Sequence, residues 1–358
     1  MRFLEIRQTA FRNLRTLEIP LGSLRIFIHG PNGNGKTNLL EALGFITAGR
    51  SFRTPDRRNL VAWGSRQAGI LYRIDHETLG GCRVEATIEA GRTRFTLDDT
   101  PTTRLGDNMG LFPTVTLAPN DIQVLRGAPS GRRRLLDMAA SSAIPGYLRA
   151  LVGYHKALDA RNLLLKRQAH AHERMPFERM MAETATVLAP MRRKAVEDLD
   201  SRLAEICALM QLDHAKPGLI LDADDAPADA EAHLRLLADA LQRDQILGST
   251  SRGPHRDDLG FRLFGRDARE SGSEGQQRTL VIALRLAEAR WLHERTGVRP
   301  PILADDILGE LDPGRRAAFW DMLPPDWQVV ATGTTPPDAD AGTWMRINVI
   351  DGNTVAGG

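Results

Sequence analysis

The eight residues GPNGNGKT, Gly30 to Thr37, carry the most explicit chemistry in the chain. Their glycines let backbone N–H groups crowd around phosphate oxygens with no Cβ in the way. An apolar stretch from Leu24 to Ile28 precedes them and a helix-forming run, NLLEALGF, follows, which is the order of a phosphate-binding P-loop. In that pattern Gly30, Pro31, Asn32, Gly33, Asn34 and Gly35 line the cradle, with Asn38 just behind it in the helix. Lys36 reaches the β- and γ-phosphates, and the hydroxyl of Thr37 ligates Mg²⁺. A nucleoside triphosphate is the expected ligand. Of 47 lysines and arginines only five are lysines, so the lysine at position 36 reads as chemically required. A planar guanidinium does not substitute for a compact ammonium inside such a cradle.

A P-loop needs a second carboxylate to hold the metal, usually at the end of an apolar strand. PPILADD provides it: Asp305 for Mg²⁺, and Asp306 where a carboxylate orients or deprotonates the attacking water. Lys36 and Asp305 lie 269 residues apart, so the fold must close across a long intervening segment. A third element, SEGQQRTLVIALRLAEARW, opens at Ser273 with a small-residue turn and runs into a helical stretch. Its N-terminus offers hydroxyl and backbone N–H groups to an anion.

The elements that must position these residues follow from periodicity. RFLEIRQ, TLEI and LRIFI predict short strands leading into the P-loop, and CRVEATIEA with RTRFTLD, over 82–98, predicts a hairpin turning at Gly91. From about 131 to 212 the pattern is helical. Leu151, Tyr154, Leu158 and Leu165 form one apolar stripe, and Val196, Leu199, Leu203, Ile206 and Met210 form another. Pro145, Pro176 and Pro190 punctuate the segment and predict several helices of modest length. The acidic, alanine-rich stretch 222–232 reads as a solvated loop or helix start. Cys82 and Cys207 are far apart and form no metal or disulfide pattern. No run approaches the roughly 18 apolar residues of a membrane span, so a cytoplasmic protein with no membrane partner is expected.

P-loop, S-x-G-Q, strand-Asp-Asp and the x-x-L-D of GELD, Gly309 to Asp312, occur in the order of the ATP-binding cassette architecture. A small insertion without a long coiled coil narrows the resemblance. FRNLR at 11–15, SFRT at 51–54, APND at 118–121, GAPSGRRRLLD at 127–137 and GPHRDDL at 253–259 complete a set that resembles the RecF family of DNA replication and repair proteins. The resemblance implies an α/β P-loop NTPase head of the ABC type, with an antiparallel β-subdomain and an inserted helical lobe. The expected division is 1–125 for the first part of the head, 126–245 for the lobe, and 246–358 for the return to the head.

The resemblance further implies that ATP joins two heads as a homodimer, with Ser273, Gly275 and Gln276 acting on the partner head's nucleotide and Asp312 in the loop that follows. Asp121 fills the lid-loop slot, Thr332 stands where a switch histidine is usual, and Asp306 replaces the usual Glu, which predicts slow hydrolysis. Expected partners are double-stranded DNA at gaps or single-strand/double-strand junctions, a RecR-type protein and, through it, the recombinase RecA; nucleoid association follows. Arg53, Arg57 and Arg58, with Arg132, Arg133 and Arg134, are the candidate DNA contacts. With 5% aromatic residues and no aromatic interleaving, phosphate contact is expected rather than base stacking. The alternatives are a chromosome-organising ATPase of the SMC type or a transporter ATPase subunit, the latter disfavoured by the wide motif spacing.

Overall fold

The computed structural model describes residues 1–54, 56–102, 110–223, 227–307, 313–334, 343–350 and 353–356. Two compact units divide the chain: a head of Met1–Asp121, Glu205–Asp213 and Thr279–Gly358, and a lobe of Ile122–Ala204 and His214–Arg278.

In the head, strands with alternating burial build an antiparallel sheet. Its order is Leu14–Pro20, Arg2–Phe11, Gln67–His76, Gly80–Glu89, Arg92–Leu97, Thr100–Pro101. The period of two puts Ala68, Ile70, Tyr72 and Ile74 on the covered face. The predicted hairpin is present. Glu89 pairs with Arg92, and the two turn residues Ala90 and Gly91 have φ of 49° and 75°, as the right-handed twist of a two-residue hairpin requires.

A second sheet runs Asn353–Ala356, Met345–Ile350, Arg25–His29, Val329–Gly333, Ile302–Asp305, Val115–Leu117, all parallel except the first. Ile302–Asp305 and Val329–Gly333 are buried at every position, the signature of parallel strands covered on both faces. The helix Lys36–Gly44 shares one apolar core with both sheets, through Leu39, Leu40 and Leu43. Each such side chain contributes about 1.5–3 kcal/mol by leaving water. The buried amide of Gln328 ties the sheets together: its Oε1 accepts the Phe3 N–H at 2.8 Å, and its Nε2 donates to the carbonyls of Phe3, Leu21 and Ser23.

The lobe contains helices Pro129–Ala143 and Tyr147–Lys166, most of Ala171–Leu209, then Ala230–Asp239 and Leu241–Leu247. Tyr154, Leu158 and Leu165 are buried, as is the whole stripe from Val196 to Met210. Modest helix length is not what forms. Ala171–Leu209 is a single helix of 39 residues, about 58 Å long, and Pro176 and Pro190 lie inside it. Each proline removes one backbone hydrogen bond, and burial of Met181, Ala182, Leu188, Ala195 and Leu199 around them outweighs that cost. Pro145 does break the chain, between Ala143 and Tyr147. In the acidic stretch, Asp229 caps Ala230–Asp239 by accepting the Ala232 N–H at 2.7 Å.

The lobe also holds a three-stranded sheet the sequence pattern did not reveal, Arg266–Asp267, Asp258–Leu263 and Gly218–Asp222. The chain enters the head briefly at Glu205–Asp213 and returns to it finally at Thr279 rather than at 246, and residues 273–278 belong to the lobe. Cys82 and Cys207 are buried free thiols whose ionisation burial pushes up to about 11 and about 12, which leaves them inert.

Candidate nucleotide site

The cradle forms where the strand Arg25–His29 ends. Gly30, Gly33 and Gly35 all have positive φ, 147°, 87° and 101°. A Cβ on Gly30 would collide with the Val349 carbonyl, and one on Gly35 would come within 2.7 Å of Leu14 Cδ2. Gly35 caps the helix with no side-chain hydrogen bond, so the first N–H groups of Lys36–Gly44 point into the cradle uncapped. The buried Lys36 Nζ donates to the carbonyls of Gly30 (2.7 Å) and Pro31 (3.1 Å) and lies 3.5 Å from Asn32 Oδ1. Among the described residues it has no carboxylate partner. Asn34 pins the loop through Val349 O at 3.4 Å.

The sheet register closes the gap between the motifs. Asp305 pairs with Thr332, and Thr332 with Ile28, at the carboxyl ends of neighbouring parallel strands. Asp305 Oδ1 accepts the hydroxyls of Thr37 (2.9 Å) and Thr332 (2.8 Å). Burial raises the pKa of Asp305, opposed by these hydroxyls and by nearby Arg53, so the carboxylate is short of cationic compensation. A hydroxyl and an under-compensated carboxylate are the hard oxygen donors Mg²⁺ takes, with phosphate and water completing its shell, so these residues fit the metal. Thr332 is thereby a positioning residue for Asp305. Its Oγ1 also accepts the Asp306 N–H at 3.0 Å. Asp306 itself is exposed with φ of 51°, a strained backbone for a non-glycine residue at a site edge.

Several residues that hold the cradle carry no ligand chemistry of their own and escaped the motif reading. The turn of FRNLR lies against the P-loop helix. Arg12 makes a bidentate ion pair with the buried Glu41 at 2.9 and 2.6 Å, while Asn13 accepts from Asn38 at 2.6 Å and donates to Gly33 O. Ser51 also donates to Glu41, and its Oγ accepts the N–H groups of Arg53 and Thr54. That turn aims Arg53 at Asn38 Oδ1, 2.7 Å away, and at Glu41. The two conspicuous motifs FRNLR and SFRT were the available signal.

The other predicted residues fall in varied settings. Asp121 follows the strand Val115–Leu117 at the same sheet edge, where its carboxylate accepts the Ala118 N–H and pairs with Arg285 at 3.2 Å. Its contacts thus hold the 118–121 turn. In the lobe, Ser273 Oγ accepts the Gln276 N–H at 3.3 Å and Gln276 Oε1 accepts the Ser273 N–H at 2.8 Å, a capping box on the helix Glu274–Thr296. The Ser273 hydroxyl proton stays available to an anion because the oxygen only accepts there. Gly275 is the second residue of that helix. Asp312 lies outside the described residues.

Among the arginines, the expectation for Arg132 is corrected. It is buried, pairs bidentately with Asp258 at 2.7 Å and donates to Gly127 O, so its guanidinium holds the lobe together and cannot face phosphate. Arg133 is half-buried on Asp257 O, and Arg134 is exposed. Arg57 is half-buried on Gly49 O, whereas Arg58 is exposed beside Asp56. GPHRDDL has the same structural use: Arg192 donates to Pro254 O, Asp257 and Asp137.

A P-loop cradle at the carboxyl end of an interior strand of a largely parallel sheet, with an antiparallel sheet sharing its core and a helical lobe interrupting the chain, defines an ATPase head of the ABC type. The chain is 36% identical over 322 residues to DNA replication and repair protein RecF of Symbiobacterium thermophilum, covering 86% of this chain and 84% of that relative. It is 33% identical to the RecF of Chloroflexus aggregans, covering 97% of each. The chain belongs to the RecF family of DNA replication and repair proteins. Residues 5–106 match the family described as an AAA domain. A solved structure of the recombination mediator protein RecF with ATP, from the RecFOR pathway, superposes with a TM-score of 0.90 at 27% identity, covering 99% of this chain and 97% of that one. An Smc head bound to the C-terminal winged-helix domain of ScpA shares the fold, with a TM-score of 0.57 at 15% identity over 99% and 96% of the two chains. No helix among the described residues is long and apolar enough to cross a membrane.

Proposed function

We propose that the chain is an ATP-switched DNA-binding factor of recombinational repair and replication restart. The observation that carries the nucleotide part is the buried Lys36, satisfied among the described residues by neutral oxygens alone and set in a cradle with no room for a Cβ at Gly30 or Gly35. Such a cation calls for an anion of several oxygens. ATP, the nucleotide of the solved RecF relative, matches that demand, and when bound with Mg²⁺ it supplies the triphosphate charge that neutralises the site. Lys36 and the helix N-terminus would bind its phosphates, and Thr37 and Asp305 would hold the metal. Thr332 keeps Asp305 oriented, and Arg53 adds positive charge on the same side. Asp306 would orient or deprotonate water; its short side chain and exposed position support weak hydrolysis, suited to a switch.

In this reading Ser273, Gly275 and Gln276 of one protomer meet the nucleotide of a second copy, so that ATP binding closes a homodimer on duplex DNA near single-strand gaps. The place of the solved relatives in the RecFOR pathway supports a RecR-type partner and recombinase loading, in the compartment that holds the chromosome. The test compares affinity for a gapped and an uninterrupted duplex, at one salt concentration, with and without ATP and Mg²⁺. Tighter binding with ATP, most of all at the gap, is expected; no effect of ATP on either DNA would refute the reading. Lys36→Met and Ser273→Arg should each abolish ATP-dependent dimerisation, and their mixture should recover one intact site.

A further inference from the structure

Trp63 is as exposed as an isolated tryptophan, with a relative accessibility of 103%. An indole left in water forgoes the burial that favours aromatic side chains in a core, yet the backbone that presents it is firmly held. Ala62 N donates to Ala10 O at 2.8 Å, Arg12 N to Leu60 O at 2.9 Å, and Ser65 N to Ala62 O at 3.0 Å, while Val61 bridges Phe11. Gly64, with φ of 80°, completes the turn. The indole is thus displayed on a rigid projection anchored to the same hairpin turn that buttresses the P-loop helix through Arg12 and Glu41.

The stretch of chain that carries it is cationic. Arg58 and Arg66 are exposed on either side of it in sequence. Arg57 lies close enough to the exposed Arg50 that, after burial, that neighbour's charge is what lowers its pKa. Asp56, paired with Arg58, is the one acid in the segment 50–66. A partner that offers both phosphates and a bare π-face matches this combination, and nucleic acid is that partner. Base pairs inside an uninterrupted duplex are stacked on both faces, so an indole reaches them only by prying a step open. The terminal pair at a single-strand/double-strand junction has one face uncovered.

Resting on the DNA-binding reading above, we infer that Trp63 stacks on the exposed base at such a junction, flanked by Arg58 and Arg66 on the backbone, and that it distinguishes a gap from continuous duplex. SFRTPDRRNLVAWGSR thus presents one exposed aromatic, Trp63, among its arginines, which composition did not single out; only exposure separates it from a core residue.

The experiment measures binding of wild type, Trp63→Ala and Trp63→Phe to a gapped and an uninterrupted duplex with ATP and Mg²⁺, using 2-aminopurine at the junction as the stacking reporter. Because Trp63 is fully exposed, both variants should keep the wild-type melting temperature. Trp63→Ala should lose about tenfold or more in affinity for the gapped duplex, little for the uninterrupted one, and the quenching of 2-aminopurine; Trp63→Phe should keep most of all three. Equal losses on both DNAs, or no loss on either, would overturn the assignment while leaving the DNA-binding reading in place. Loss of ATP-dependent dimerisation in the absence of DNA would instead place a second copy of the chain on Trp63 and equally overturn it. Failure of wild type to bind either duplex would remove the parent reading itself.

Discussion

Lys36 in the head and Arg192 in the lobe are both buried cations, but their charges are answered differently. Arg192 meets Asp137 and Asp257, each at 2.8 Å, and Arg161 meets Asp244 at 2.7 Å with Thr250 beside it. Among the described residues Lys36 meets carbonyl and amide oxygens only. The lobe's buried arginines are neutralised by its own carboxylates and give it shape. In the proposed function the triphosphate neutralises Lys36, and Mg²⁺ neutralises Asp305. A functional ion is recognised here less by its burial than by the missing countercharge.

The largest contrast should come from removing one cation on each side. Arg192→Ala strands two carboxylates and should destabilise the protein by about 3–5 kcal/mol in urea denaturation. Lys36→Met should leave the urea midpoint near wild type while abolishing ATP-dependent dimerisation. Equal destabilisation by the two would erase the distinction.

The lobe's dependence on internal neutrality can be probed by pH. His255 donates from Nε2 to Thr250 O and accepts the Tyr154 hydroxyl at Nδ1, and burial pushes its pKa down to about 4. Since the folded pKa lies below the unfolded value of about 6.5, the unfolded chain binds more protons between those limits. Stability from this group is complete above pH 6.5 and falls as pH drops towards 4, by up to about 3 kcal/mol. His255→Gln should flatten that part of the stability–pH curve; an unchanged slope would assign the acid sensitivity elsewhere.

A smaller effect separates the two arginine clusters. Arg132→Ala should cost about 2 kcal/mol through its lost charged hydrogen bonds to Asp258. Arg58→Ala should leave the melting temperature unchanged and reduce the salt dependence of DNA binding by about one ion. Ser273→Ala should cost about 1 kcal/mol of stability for the lost cap, measured by thermal denaturation. Its effect on dimerisation should exceed what that loss explains, and equal modest effects would reduce Ser273 to a helix cap.

Much of the nucleotide site was legible in the chain itself, because a phosphate cradle is local. GPNGNGKT must adopt left-handed glycine conformations next to a helix N-terminus wherever it occurs, and PILAD must end a buried strand in a carboxylate. The hairpin at Gly91 and the buried stripe of Val196 to Met210 were legible for the same reason, since periods of two and of three to four residues reflect nearest-neighbour geometry. Three-dimensional packing alone decided the rest. It carried the helix Ala171–Leu209 through two prolines, since side-chain burial around them outweighs single backbone hydrogen bonds. It set Asp305 against Thr37 and Thr332 by strand register, which no local spacing encodes. It also took Arg132 inside and left Arg58 and Trp63 outside. A guanidinium or an indole has the same local preferences in either place, and only the surrounding fold determines whether a carboxylate, a core or water receives it.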